Sequence, residues 1–129
     1  MTRREQELVA QAIRNAENGT TGRIAVRVVL DRSVDALELA RREFRQFGLD
    51  RHENRNAALV LVAPNAKQFA VVGDRALHER VGDAFWDDVV GGSRAYFAGG
   101  DTLEGIRYAV GRIGEALQTH FALPQATGP

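Results

Sequence analysis

The fold is decided by the stretch RNAALVLVAPNAKQFAVVGDRALHERVGDAFWDDVV, residues Arg55–Val90. Its first apolar run, Ala57–Ala63, is nearly continuous, which is typical of a central strand buried on both faces. A turn, Pro64–Lys67, separates this run from a second apolar run, Gln68–Val72. A connection this short favours an antiparallel hairpin, because a parallel crossover needs about a dozen residues or more.

One further strand and four helices are predicted around this hairpin. The strand is Arg23–Leu30, in which apolar and less apolar residues alternate. Helical spacing and capping residues predict helices from Thr2 to about Asn18, from a cap at Ser33 or Asp35 to about Phe47, from Asp74 onward, and from Asp101 to about Phe121.

Apolar residues at helical spacing predict which faces are buried. In the second helix these residues are Leu37, Ala40, Phe44 and Phe47. In the third they are Leu77, Val81, Ala84, Phe85 and Val89. In the last helix they include Ile106, Val110, Ile113 and Leu117.

The order of these elements predicts an α/β fold, because helices must cover both faces of a sheet that contains a strand–helix–strand crossover. We expect a three-layer α/β/α sandwich with a mixed sheet of three to four strands. A single domain is predicted over residues 1–121. The prolines and glycine of residues 122–129 predict a flexible C-terminal tail.

Composition excludes several classes of protein. The 129 residues contain no cysteine, which excludes disulfide scaffolds, zinc ribbons and thiol catalysis. Lys+Arg and Asp+Glu are 17 each, so the excess of positive charge typical of nucleic-acid binding is absent and no nucleic-acid partner is expected. No apolar run approaches the ~18 residues of a membrane span. We expect a soluble monomer that does not insert into a membrane, either cytoplasmic or a soluble domain of a membrane-anchored protein.

Strand directions predict where a site would lie. The antiparallel third strand ends at the sheet edge where the first two strands begin. Three polar segments should therefore meet there: Glu17–Gly22, Leu49–Asn56 and Gly73–Arg75. Loop edges of this kind, including helix N-termini beside a strand end, are favoured ligand positions in α/β folds.

Asp74 is the principal candidate residue at this edge. As the N-cap of the third helix it has a structural role, and its carboxylate is also suited to a hard cation. Because Asn caps a helix about as well as Asp, the sequence predicts that Asp74→Asn changes stability little. A second acidic group, Glu79, Asp83 and Asp87 at i, i+4 and i+8, forms a stripe that either binds a cation or is a solvated face paired with arginine.

The chain resembles the TPM domain family, named for thylakoid-lumen, photosystem-repair and receptor-modulating proteins. The resemblance runs from the first helix to about Phe121 and is carried by AENGTTGRIAVRVV, LARREFRQFGL, the stretch Arg55–Val90 and YFAGGDTLEGIRYAVGRIGEAL. The segment VVGDRALHERVGDAFW is the most specific and is similar to the bacterial branch. Two residues depart from the pattern, since Ala76 and Ala57 replace glycines of the family.

The resemblance implies an α/β/α sandwich, which agrees with the pattern of strands and helices. It also implies that relatives bind calcium or other divalent ions, that plant relatives are acid phosphatases, and that many members are membrane-anchored. Mapped by position, the polar edge of the family comprises Glu17, Thr21, Arg55, Asn56, Asp74 and Arg75.

Two hypotheses on function stay open. The first is a divalent-cation-binding module, taking calcium or magnesium, with phosphate monoester hydrolase activity. Its candidate residues are Asp74 and Arg75 for catalysis, Thr21, Arg55 and Asn56 for ligand binding, and Asp74, Glu17, Asp83 and Asp87 for the metal. The second is a non-catalytic interaction module that recognises a protein partner, for example a membrane protein.

Overall fold

The structure is a computed structural model and describes residues 1–124. Its helices and strands are α1 (Arg3–Glu17), β1 (Arg23–Val28), α2 (Ala36–Gln46), β2 (Ala57–Ala63), β3 (Gln68–Gly73), α3 (Arg75–Ala98) and α4 (Thr102–His120). Short 3₁₀ turns lie at Leu49–Arg51 and Pro64–Ala66. Among the described residues, none of the helices has both the length and the hydropathy needed to span a bilayer.

The strands form one mixed sheet in the order β1–β2–β3. β1 pairs with β2 in parallel, with Arg23 opposite Ala57, and β3 pairs with β2 in antiparallel, with Gly73 opposite Ala58. Every residue of β2 is buried, because the strand lies between two others and is covered on both faces. The predicted central strand and antiparallel hairpin are confirmed.

One face of the sheet is covered by α1, α3 and α4. The residues of α4 that face the sheet have no solvent exposure: Ile106, Val110, Ile113 and Leu117. They belong to a core cluster with Ile24 of β1 and with Ala58, Val60 and Val62 of β2. The predicted buried face of α4 is confirmed.

The other face is covered by α2, which completes the three-layer α/β/α sandwich. Ala36, Ala40 and Phe44 pack against the alternate residues of β2. The predicted burial of Leu37 and Phe47 is wrong, since these side chains are 42% and 54% exposed. The buried face is rotated toward Glu43.

Glu43 is buried because it has a partner on the sheet. Its carboxylate accepts from Arg27 Nε at 2.9 Å and from Arg27 Nη2 at 3.4 Å. This ion pair lets an acidic residue occupy the buried face of α2, where an unpaired charge would be costly. The guanidinium of Arg27 also lies over the Phe47 ring, 5.5 Å from its centroid.

α3 is interrupted at Gly82, whose φ of 77° and ψ of 172° are non-helical and are accessible almost only to glycine. Leu77 lies before the break and Val89 after it, and both are buried. The predicted burial of Ala84 is wrong, since this residue is exposed. After the break the helix continues past Gly91 to Ala98.

The predicted C-terminal tail begins at Ala122. In the structure, Ala122 forms an isolated β-bridge with Thr20, and the Leu123 N–H donates to the Gly19 carbonyl oxygen at 2.8 Å. The first residues of the predicted tail are therefore paired with the turn after α1. Residues 125–129, the rest of that tail, lie outside the described residues.

Candidate functional site

The amino edge of the sheet is defined here as the edge where β1 and β2 begin and β3 ends. Its position follows from the confirmed strand directions, which place the first residues of β1 and β2 beside Gly73. The turn after α1, the loop before β2 and the start of α3 adjoin this edge. Two backbone hydrogen bonds join the start of α3 to β2 and to the loop before it. The Asp74 N–H donates to the Ala57 carbonyl oxygen, and the Ala76 N–H donates to the Arg55 carbonyl oxygen.

At the centre of the amino edge, Asp74 and Arg55 form an ion pair. Arg55 Nε donates to Asp74 Oδ2 at 2.7 Å, and Arg55 Nη2 donates to Oδ1 at 3.0 Å. Oδ1 also accepts from the Arg75 N–H at 2.8 Å, the capping bond of α3. Both oxygens of the Asp74 carboxylate are therefore engaged, and the residue is only 6% exposed.

Arg55 is held in an uncommon backbone conformation. Its φ is +52°, in the left-handed region that residues with a Cβ seldom adopt. The hydrogen bonds of the Asp74 carboxylate raise the pKa of the Arg55 guanidinium above its ordinary value. Arg55 thus stays positively charged, with its side chain 32% exposed.

A second polar group links the loop before β2 to the turn after α1. Asn56 Nδ2 donates to Thr21 Oγ1 at 2.9 Å, and His52 Nε2 donates to the Thr21 carbonyl oxygen at 2.8 Å. Asn56 is fully buried, and its Oδ1 has no hydrogen-bond partner among the described residues. A buried acceptor without a partner is costly, so this oxygen lowers the stability of the polar group around Thr21.

His52 lies in the polar segment Leu49–Asn56, which the sequence analysis placed at this edge, but it was not among the predicted site residues. Its partner, Thr21, lies 31 positions earlier in the chain. Only the fold brings the two residues together.

Glu17 is occupied by the backbone of the sheet. Its Oε2 accepts from the Ile24 N–H at 2.7 Å. Successive N–H groups of a strand point to opposite sides. The N–H of Val29, just after β1, donates to the Val62 carbonyl oxygen of β2, so the N–H of Ile24 points away from β2. Glu17 therefore caps the free side of β1, where an unpaired N–H would otherwise be exposed.

The acidic residues of α3 do not form the predicted stripe. Gly82 interrupts the helical register between Glu79 and Asp83, so a continuous stripe over Glu79, Asp83 and Asp87 is wrong. Asp83 is instead near His78, with Oδ1 3.4 Å from Nε2.

The four predicted metal ligands lie on different parts of the chain: Glu17 ends α1, Asp74 precedes α3, and Asp83 and Asp87 follow the break at Gly82. Within residues 1–124, no group of three or more Asp, Glu or His side chains is placed to hold a metal ion. The carboxylate best positioned at the edge, that of Asp74, already has Arg55 as its counter-ion. Both oxygens of that carboxylate accept hydrogen bonds, so in this arrangement it is not a free ligand for a hard cation.

The ion pair changes the expected effect of Asp74→Asn. We expect this variant to lower the free energy of unfolding, since the amide removes the charge that holds Arg55 while it keeps the cap. Asp101→Asn is the matched control, because Asp101 caps α4 through Glu104 N–H at 3.2 Å and forms no ion pair among the described residues. Urea unfolding of both variants measures the difference. An equal effect of the two substitutions would show that the Arg55 pair adds nothing to stability.

The fold and this edge define an α/β/α domain with a buried carboxylate–arginine pair at the start of a helix. The family model of the TPM domain matches residues 1–116, and the chain belongs to the TPM domain family. A search of curated proteins finds no match.

Solved structures share the fold. The chain is similar to the BA42 protein of the psychrophilic bacterium Bizionia argentinensis, with 28% identity, a TM-score of 0.87, and coverage of 97% of this chain and 86% of that one. It is also similar to the N-terminal domain of the cg2496 protein of Corynebacterium glutamicum, at 14% identity and TM-score 0.73, covering 100% and 84% of the two chains. A third similar structure is the N-terminal domain of a P. gingivalis protein, at 15% identity and TM-score 0.79, covering 97% and 83%. The likeness to the last two concerns the fold alone.

Proposed function

We infer that this TPM domain binds a phosphate group at the amino edge, held by Arg55 and Arg75. The observation that carries the inference is the fixed and still accessible guanidinium of Arg55. Two of its five N–H donors are used on Asp74. The other three are available to phosphate oxygens, for which the planar guanidinium is well suited.

Arg75 provides the second cation. It follows Asp74 directly, is exposed, and forms no ion pair within residues 1–124. It also stands at the first position of α3, where the helix dipole adds a positive potential that favours an anion. Two arginines and a helix N-terminus at one sheet edge together support a doubly charged phosphate monoester as the ligand.

In this proposal Asp74 is a positioning residue. Its carboxylate orients Arg55 and begins α3, and both of its oxygens are engaged in those contacts. The role of a free carboxylate that attacks or binds a cation does not suit that arrangement. The family resemblance implies that the bound ester is hydrolysed. In this proposal the hydrolysis depends on calcium or magnesium.

The test is a titration with 4-nitrophenyl phosphate, followed by backbone amide shifts. We expect saturable shifts at residues 54–56 and 74–77. Arg75→Gln should weaken binding about tenfold, the loss expected for a charge-assisted contact. Arg80→Gln is the matched control, because Arg80 is also exposed on α3 but lies a turn further from the edge. The control should bind like the wild type.

Turnover is measured separately as release of nitrophenolate, with and without calcium or magnesium chloride. Release that depends on Arg75 would extend the proposal from binding to hydrolysis. Binding without release would limit the domain to phosphate recognition. No shift at the amino edge, or equal shifts in Arg75→Gln, would contradict the proposal and favour the interaction module.

A further inference from the structure

A large cleft lies at the opposite edge of the sheet, where β1 and β2 end and β3 begins. This carboxyl cleft has a volume of about 800 Å³. Its walls are the start of α2, the turn between β2 and β3, and the junction between α3 and α4. Its volume is within the range of roughly 300–1,000 Å³ that is typical of small-molecule sites. It shares no residue with the amino edge.

The interior of the carboxyl cleft is apolar and aromatic. Phe69 of β3 and Phe97 of α3 line it, with their ring centroids 4.6 Å apart and their planes inclined at 50°. Val62, which is only 2% exposed, is the neighbour of Phe69 on β2 and belongs to the core against which both rings pack. A flat or chain-like apolar group entering here would contact two partly buried rings.

Two cationic side chains line the cleft. Lys67 and Arg94 both line it, and neither forms an ion pair within residues 1–124. Lys67 is the only lysine in the chain. The Lys67 N–H donates to the Pro64 carbonyl oxygen, so the turn holds its backbone in place.

The cleft also has one acidic residue and two neutral polar ones in its lining, Asp35, Gln68 and Thr102. Asp35 is the one acidic residue in its described lining, and its Oδ1 accepts from the Glu38 N–H at the start of α2. The Gln68 side-chain oxygen accepts from the Ala36 N–H at 2.9 Å. Two cations and one carboxylate leave the lining with a net positive charge, which comes from the ammonium of Lys67 and the guanidinium of Arg94.

We propose that the carboxyl cleft binds a small apolar carboxylate, with its hydrocarbon body against Phe69 and Phe97 and its carboxylate between Lys67 and Arg94. Apolar walls and two unpaired cations in one cleft complement such a molecule. A neutral apolar ligand would leave both cations unused, and a bare inorganic anion would leave the aromatic walls uncovered. This site is separate from the phosphate site of the amino edge.

The test uses 2-naphthoate as the probe and its neutral analogue 2-naphthamide as the chemical control, with binding followed by backbone amide shifts and calorimetry. We expect saturable shifts at residues 67–69 and 94–98. The amide analogue should bind at least about tenfold more weakly, since it lacks the charge-assisted contacts. Octanoate, which has an alkyl chain in place of the aromatic rings, should shift the amide resonances of the same residues.

The double variant Lys67→Gln/Arg94→Gln tests the two cations. Both residues are exposed, so the variant should fold, and dispersed amide resonances check this. We expect it to weaken naphthoate binding at least about tenfold and to leave naphthamide binding unchanged. Arg80→Gln, outside the cleft, should bind naphthoate like the wild type. Equal affinity of the double variant, equal affinity for the two probes, or no saturable shift in the cleft would overturn the proposal.

Discussion

Replacing Leu117 with alanine should lower the free energy of unfolding by about 2–5 kcal/mol. Leu117 has no solvent exposure, and it packs so closely on the turn before β1 that a Cβ at Gly22 would overlap its side chain. Truncation leaves a cavity that neither the helix nor the strand can fill without moving. Because a domain of this size is stable by only about 5–15 kcal/mol, the loss removes a large part of the total.

Leu37→Ala is the matched control for this substitution. Leu37 is also a helical leucine, but it is 42% exposed, and removal of its side chain should cost less than about 1 kcal/mol. Urea unfolding of the two variants measures both values. A loss below about 1 kcal/mol for Leu117→Ala would mean that α4 does not pack as described.

The second large effect is expected at the contact between α1 and α4. A Cβ on Gly114 would lie 2.6 Å from the Cβ of Ala16 and 2.8 Å from its Cα, which is closer than van der Waals contact. Gly114→Ala must therefore push the two helices apart. We expect it to lower the free energy of unfolding by about 1–3 kcal/mol, as overpacking of a core does.

Gly111→Ala, one turn earlier on α4, separates packing from helix propensity. A Cβ at Gly111 meets no atom within 4 Å, so alanine there should instead stabilise the helix by up to about 1 kcal/mol. Thermal or urea unfolding should show opposite signs for the two variants. If both substitutions stabilise the protein equally, the helices do not approach each other as closely as described.

The bounds, direction or buried face of an element could be predicted where its own sequence has a strong pattern. The bounds of β2 agree with the apolar run Ala57–Ala63, because a strand buried on both faces needs apolar residues at every position. The short turn after it dictated the antiparallel direction of β3, and hence the position of the amino edge. The faces of α4 followed from the spacing of Ile106, Val110 and Ile113.

Predictions failed where a distant residue outweighs a local pattern, or where a single residue within the pattern breaks the helix. Leu37 and Phe47 fit the helical period of α2, but they are exposed, and the buried face instead contains Glu43, which pairs with the distant Arg27. The acidic stripe of α3 fitted the helical period too, but it requires a helical Gly82, and the backbone there is not helical.

In the candidate site, too, local sequence patterns predicted some features, and contacts between distant residues determined the others. The sequence was sufficient to bring Asp74 and Arg55 to one edge of the sheet, because strand order and direction follow from apolar runs and turn lengths. It did not show that Asp74 is buried against Arg55, that Asn56 lies on Thr21, or that a cationic cleft opens at the opposite edge. Those contacts join residues far apart in the chain. They depend on the three-dimensional packing of whole elements, whereas periodicity and turn chemistry report only on neighbours along the chain.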